Sequence, residues 1–180
     1  MNYQDNEGLQ EFTDRLDRSH YYLINALCVS AKKYALQLEQ LEMHKATSQY
    51  VTLCNRLIQE ILHFVTIRKE YFVPYLLSLS EKNEDGHDCK NCTGTATCSA
   101  QHDLHLAELK QSHKQLKAII YQVQMAALPL YAETIYPDVY RLLRNHMALI
   151  GSSLTDLYTA EEIQLIPKVI EAQRNINARD

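Results

Sequence analysis

Six side chains able to bind metal crowd one short stretch, HDCKNCTGTATCSAQHDLH: His87, Cys89, Cys92, Cys98, His102 and His105. Cys89-x-x-Cys92, with Gly94 close by, allows a tight turn whose backbone amides face the thiolates. Cys98 and His102 are four residues apart and share one face of a helix starting there. A tetrahedral, thiolate-rich site favours zinc, with an iron–sulfur cluster as second choice. Cys89, Cys92, Cys98 and His102 form the preferred quartet, with His87 and His105 as substitutes. Two other readings stand beside this one. Cys89 and Cys92 suit a thiol redox switch, and a loop with incidental cysteines needs no ligand at all. Cys28 and Cys54 stand alone in helical patterns and read as buried, inert thiols. An odd total of five cysteines, behind an N-terminus that does not read as a secretory signal, argues against a secreted disulfide framework.

A second set of polar residues interrupts otherwise apolar stripes. His20 follows Leu16 and precedes Leu23 and Leu27 at helical steps, and His113 stands likewise between Leu109 and Leu116. Arg68 falls on the line of Ile61, Val65, Phe72 and Tyr75, and Glu161 on that of Leu154, Leu157 and Leu165. These positions repeat at one offset: 113 − 20 = 93 and 161 − 68 = 93. Pro74 and Pro167 share it, since 167 − 74 = 93. The inward polar residues are thus two related pairs. Buried charge is costly unless paired, so the plain reading is an Arg68–Glu161 ion pair with two hydrogen-bonded core histidines. The sharper reading is a metal site or its remnant, because two histidines and a carboxylate can hold non-haem iron. His63 lies on a polar line and reads as exposed, His44 sits near a helix end, and His146 borders a core stripe. Some of the twelve tyrosines are candidates to hydrogen-bond the polar layer.

The elements that must carry these residues are helices. Glycine and proline number four each, too few for a strand-and-turn architecture. The first helix reads Leu9, Phe12, Leu16, Leu23, Leu27, Tyr34, Leu38, Leu41; the second, capped near Thr47 or Ser48, reads Leu57, Ile61, Val65, Phe72, Tyr75. The third reads Leu106, Leu109, Leu116, Ile120, Val123 and Ala127, and Pro129 ends or kinks it. The fourth begins near Pro137 and reads Val139, Leu143, Met147, Ile150, Leu154, Leu157, Leu165; Pro167 ends or kinks it, as Pro74 closes the second, and a short helical segment follows. The pattern predicts one all-α domain over residues 1–180. Its architecture is an up-down-up-down four-helix bundle made from a duplicated hairpin, with the Cys/His-rich loop at 81–98 between the two helix pairs.

The paired segments SHYYLINAL and SHKQLKAII, then RKEYFVPYL and AEEIQLIPKV, resemble the hemerythrin-like, or HHE cation-binding, domain. The resemblance covers nearly the whole chain and implies a four-helix bundle. In that family the second helix of each pair carries a His-x-x-x-Glu motif that binds a di-iron centre. Alignment on the prolines puts those positions at Phe64/Arg68 and Leu157/Glu161, so both histidines are apolar and one glutamate is an arginine. His20, His113 and Glu161 remain as a residual iron set, with Arg68 in place of the missing charge.

Composition narrows the rest. A net charge of −4 with dispersed Lys and Arg offers no nucleic-acid face. No apolar run approaches a membrane span. A glycine-rich phosphate loop and a nucleophile elbow are both absent from the sequence. The expectation is a cytoplasmic, non-enzymatic metal-binding protein, a sensor or interaction scaffold, with zinc in the loop and an unidentified protein partner. Iron in the core for oxygen, nitric oxide or redox chemistry is the alternative, and a thiol redox sensor the third. A homodimer is one assembly open to it.

Overall fold

The computed structural model describes the backbone of residues 7–41, 45–86, 99–126 and 136–177, and side chains over 7–41, 47–86, 106–126 and 136–176. These residues are helical nearly throughout, in four long rods. Helix α1 (9–39) consists of Leu9–Arg15, a π-helical segment Leu16–Tyr21, and Tyr22–Glu39. Helix α2 (45–85) consists of Lys45–Ile67, π-helical Arg68–Phe72, and Val73–Asp85. Helix α3 is Ser99–Ala126. Helix α4 (138–177) consists of Asp138–Ala160, π-helical Glu161–Leu165, and Ile166–Asn177.

Local chemistry sets several ends. Gly86 stops α2 in the left-handed region (φ 70), where a side chain would be strained. Pro137 precedes α4 in an extended conformation and Asp138 places an acid in its first turn, favourable to the helix dipole. Helix α2 already runs at Lys45, so Thr47 and Ser48 lie in its first turn and not at its cap. It continues to Asp85, so residues 81–85 are helical and not part of the connecting loop. Pro129 lies outside the described residues.

Pro74 and Pro167 end neither helix. Each is exposed, and each stands six residues after the start of a π-helical segment (74 − 68 = 6; 167 − 161 = 6). Proline lacks an N–H and crowds the carbonyl four residues back. A wider turn just before it relieves that crowding. In both helices the turn closes by a five-residue bond, Val73 N–H to Arg68 O and Ile166 N–H to Glu161 O. The segment boundaries of α2 and α4 keep one spacing: 138 − 45, 161 − 68 and 166 − 73 are all 93.

The π-helical segment of α1 changes which residues face inward. Leu9, Phe12 and Leu16 are buried, and the next buried residue is Tyr21, five positions on. Ile24, Cys28, Ala31, Ala35 and Leu38 follow at ordinary helical steps. The stripe expected through His20, Leu23 and Leu27 is therefore displaced by one residue. Leu23 is 47% exposed, Leu41 is 45% exposed, and Leu27 is half-buried.

The four helices share one core. The segment Leu9–Arg15 packs on Val73–Asp85, while Tyr22–Glu39 packs on Lys45–Ile67 and on Asp138–Ala160. Helix α3 lies against α4 and the first part of α2. Leu57, Ile61, Leu116, Leu143, Leu154 and Leu157 are fully buried, each contributing about 1.5–3 kcal/mol by leaving water. Helices α3 and α4 approach closely at Gly151, where an added Cβ would lie 3.2 Å from Val123 Cγ1. Gly151→Ala is expected to change stability by less than about 1 kcal/mol, since better helix propensity offsets the tight contact. Gly151→Val should cost about 1–3 kcal/mol by overpacking. Urea unfolding reads both, and a harmless valine would mean that the helices do not meet there. Among the described residues no helix is long and apolar enough to cross a membrane.

Candidate functional site: a buried Arg–Glu–His–Tyr cluster

Glu161 sits at the start of the α4 π-helical segment and is wholly buried. Three donors from three other helices converge on it. Tyr21 Oη donates to Oε1 at 2.9 Å, Arg68 Nη2 donates to Oε2 at 2.8 Å, and His113 Nε2 lies 2.9 Å from Oε2. Tyr21 ends the π-helical segment of α1, and Arg68 begins that of α2. Three of the four cluster residues thus stand on π-helical turns. Such turns re-aim a side chain without ending the helix, and they recur at functional sites.

The charges explain why the cluster holds together. Burial alone would raise the Glu161 carboxyl. The Arg68 charge, with the hydrogen bonds from His113 and Tyr21, outweighs it and keeps the group below its usual range, so it is ionised. Arg68 is 1% exposed. Its guanidinium carbon lies 4.8 Å from the centre of the Phe64 ring and 4.4 Å from that of Phe72, so aromatic faces help to carry the cation. The His113 ring meets Tyr158 edge to face at 5.3 Å. Burial and Glu161 push the Tyr21 phenol well above its ordinary value, so it remains a donor.

Arg68, Glu161 and His113 come together, and the expected Arg68–Glu161 pair forms. His20 does not join them by a hydrogen bond among the described residues. It is half-buried on α1, one position off the inward line, and Tyr21 takes its expected place. The sequence equivalence of His20 and His113 therefore does not carry over to their contacts. Burial, reinforced by the charge of Arg15, lowers the His20 imidazole below its ordinary value. Tyr21 was hidden from periodicity because only a five-residue step brings it inward. Phe64 and Phe72 read as plain core residues until their rings are seen against the guanidinium.

The donor set does not fit a di-iron centre. Both oxygens of Glu161 are already occupied by protein donors, and a permanent cation stands within hydrogen-bond distance of the oxygen that His113 shares. Among the described residues no group of three or more His, Cys, Asp or Glu side chains is placed to hold a metal ion. The arrangement supplies fixed opposite charges and a rigid polar layer.

His63 is exposed, as expected from its polar line, and His44 lies outside the described residues. His146 is half-buried, edge to face with Tyr34 at 4.9 Å. Cys28 and Cys54 are buried free thiols, each pushed by burial up to about 12. His87, Cys89, Cys92 and Cys98 lie outside the described residues. His102 and His105 fall on the backbone of α3, with side chains outside the described set. Comparison with protein-family models, with curated proteins and with solved structures gave no match for this chain.

Proposed function

We propose that this chain is a non-enzymatic, hemerythrin-like helical bundle that acts as a metal-dependent sensor or interaction scaffold. Its inner Arg68–Glu161–His113–Tyr21 cluster stands where the resemblance puts iron, and its metal, zinc, is held by Cys89, Cys92, Cys98 and His102. The observation that carries this reading is the engagement of Glu161. The one acid retained from the family's motif accepts from a guanidinium that takes the other acid's place (161 − 68 = 93). A guanidinium there balances buried negative charge without a metal.

The bundle itself we read as up-down-up-down, built from a duplicated hairpin. Two observations support this. The segment boundaries of α2 and α4 share the 93-residue spacing. The start of α1 meets the end of α2, and the later part of α1 meets the first parts of α2 and α4. That is the pattern of antiparallel neighbours.

Element analysis of protein purified without added metal tests the assignment. The expected result is about one zinc per chain, lost in Cys89→Ser and Cys92→Ser, as for a closed tetrahedral site. About two irons per chain, retained in those variants, would overturn it in favour of a carboxylate-bridged core. A metal-free chain with a reversible Cys89–Cys92 disulfide would instead make it a redox sensor.

A further inference from the structure

Arg68 carries five N–H donors, and the cluster uses only one nitrogen. Nη2 reaches Glu161, while Nε and Nη1 have no hydrogen-bond partner and are covered by neighbouring side chains, so an acceptor reaches them on a small side-chain shift. A buried guanidinium with unused donors is costly unless something accepts from it. Arg68 also lines a cavity of about 460 Å³ between α2 and α3. Phe64 and Phe72, the rings that flank its guanidinium, line the same space, with Ile67 on α2 and Ser112 and Ile119 on α3.

We infer that this α2–α3 cavity binds a small molecule with an apolar body and one terminal carboxylate, the carboxylate accepting from Arg68. Four observations lead there. The volume falls in the range of small-molecule pockets, about 300–1,000 Å³. It far exceeds the share of one water, about 30 Å³, so a single bridging water does not fill it. By area the walls are mainly apolar, with Phe64, Ile67, Phe72 and Ile119 supplying body contacts, and the one acid among them, Glu60, is paired with Arg56. The unused donors belong to a cation, and charge-assisted bonds are stronger than neutral ones. A dianion such as phosphate is disfavoured, because the Glu161 carboxylate on the same guanidinium repels the second charge. A monoanion adds the missing acceptor with the least repulsion. The site is independent of the Cys/His segment, so it stands whether or not that segment binds zinc.

Isothermal titration of the full chain with octanoate, and with octanamide as its uncharged counterpart, tests this. Octanoate should bind saturably and about tenfold more tightly than octanamide, the difference expected for one charge-assisted contact. Ile119→Trp narrows the cavity without touching the cluster and should weaken octanoate by about tenfold or more. Circular dichroism checks that the variant folds, and Ala118→Leu, at an exposed wall position, replaces it if it does not. Equal affinity for the amide would overturn the role of Arg68. Undiminished octanoate binding in the filled variant would overturn the cavity, and no saturable binding at millimolar octanoate would overturn both.

Discussion

Arg68→Ala is expected to lower the unfolding free energy by about 3–5 kcal/mol, because it leaves Glu161 as an uncompensated buried charge. Typical domains have about 5–15 kcal/mol in all, so the loss should be plain in urea unfolding at neutral pH. The companion variants show why. Arg68→Met with Glu161→Leu removes both charges together and puts a flexible apolar chain between Phe64 and Phe72. It still strands two donors, the Tyr21 hydroxyl and His113 Nε2, each formerly on Glu161. Adding Tyr21→Phe removes one of them, so the triple variant should lose only about 1–3 kcal/mol, the cost of one orphaned polar group. The expected order of damage is Arg68→Ala, then the double, then the triple. If Arg68→Ala and the triple unfold at the same urea concentration, charge pairing is not what holds this layer.

The last step of that order, from double to triple, rests on the Tyr21–Glu161 bond, which periodicity could not reveal. The stripes of α2 and α4 were legible because their apolar runs stay in phase up to the polar residue. Ile61, Val65 and Arg68 are buried together, as are Leu154, Leu157 and Glu161. The 93-residue spacing then singled out the Arg68–Glu161 partnership. Helix α1 misled for a physical reason. Its inward face joins two runs one residue out of phase, Leu9–Phe12–Leu16 and Tyr21–Ile24–Cys28. The second run continues through small Ala31 and Ala35, a weaker signal than the exposed Leu23 and half-buried Leu27 beside it. A single inserted position, absorbed as a π-helical turn, therefore exchanged His20 for Tyr21. The prolines are a signal for such turns, since an uninterrupted helix through Pro74 or Pro167 needs somewhere to relieve the ring.

The same layer should make the fold sensitive to acid. Glu161 has a folded pKa below its ordinary value of 4.5, because the Arg68 charge and the bonds from His113 and Tyr21 outweigh the opposing effect of burial. A depressed folded value means that the unfolded chain binds the proton more readily. The stabilisation is therefore complete above about pH 4.5 and is lost as pH falls through the folded value. Once protonated, Glu161 leaves Arg68 a buried cation without its counter-charge. Glu161→Gln imitates that state at every pH. It should cost about 3–5 kcal/mol at pH 7 and show a flatter loss of stability below about pH 4.5. Glu7 titrates with the same sign, held down first by its side-chain hydrogen bonds to Arg15. It joins a more exposed pair, so Glu7→Gln should flatten the profile less than Glu161→Gln does. Unfolding free energies measured in urea from pH 7 down to about pH 3 separate the two carboxylates. Parallel profiles for the wild type and Glu161→Gln would show that the acid-sensitive group lies elsewhere in the chain.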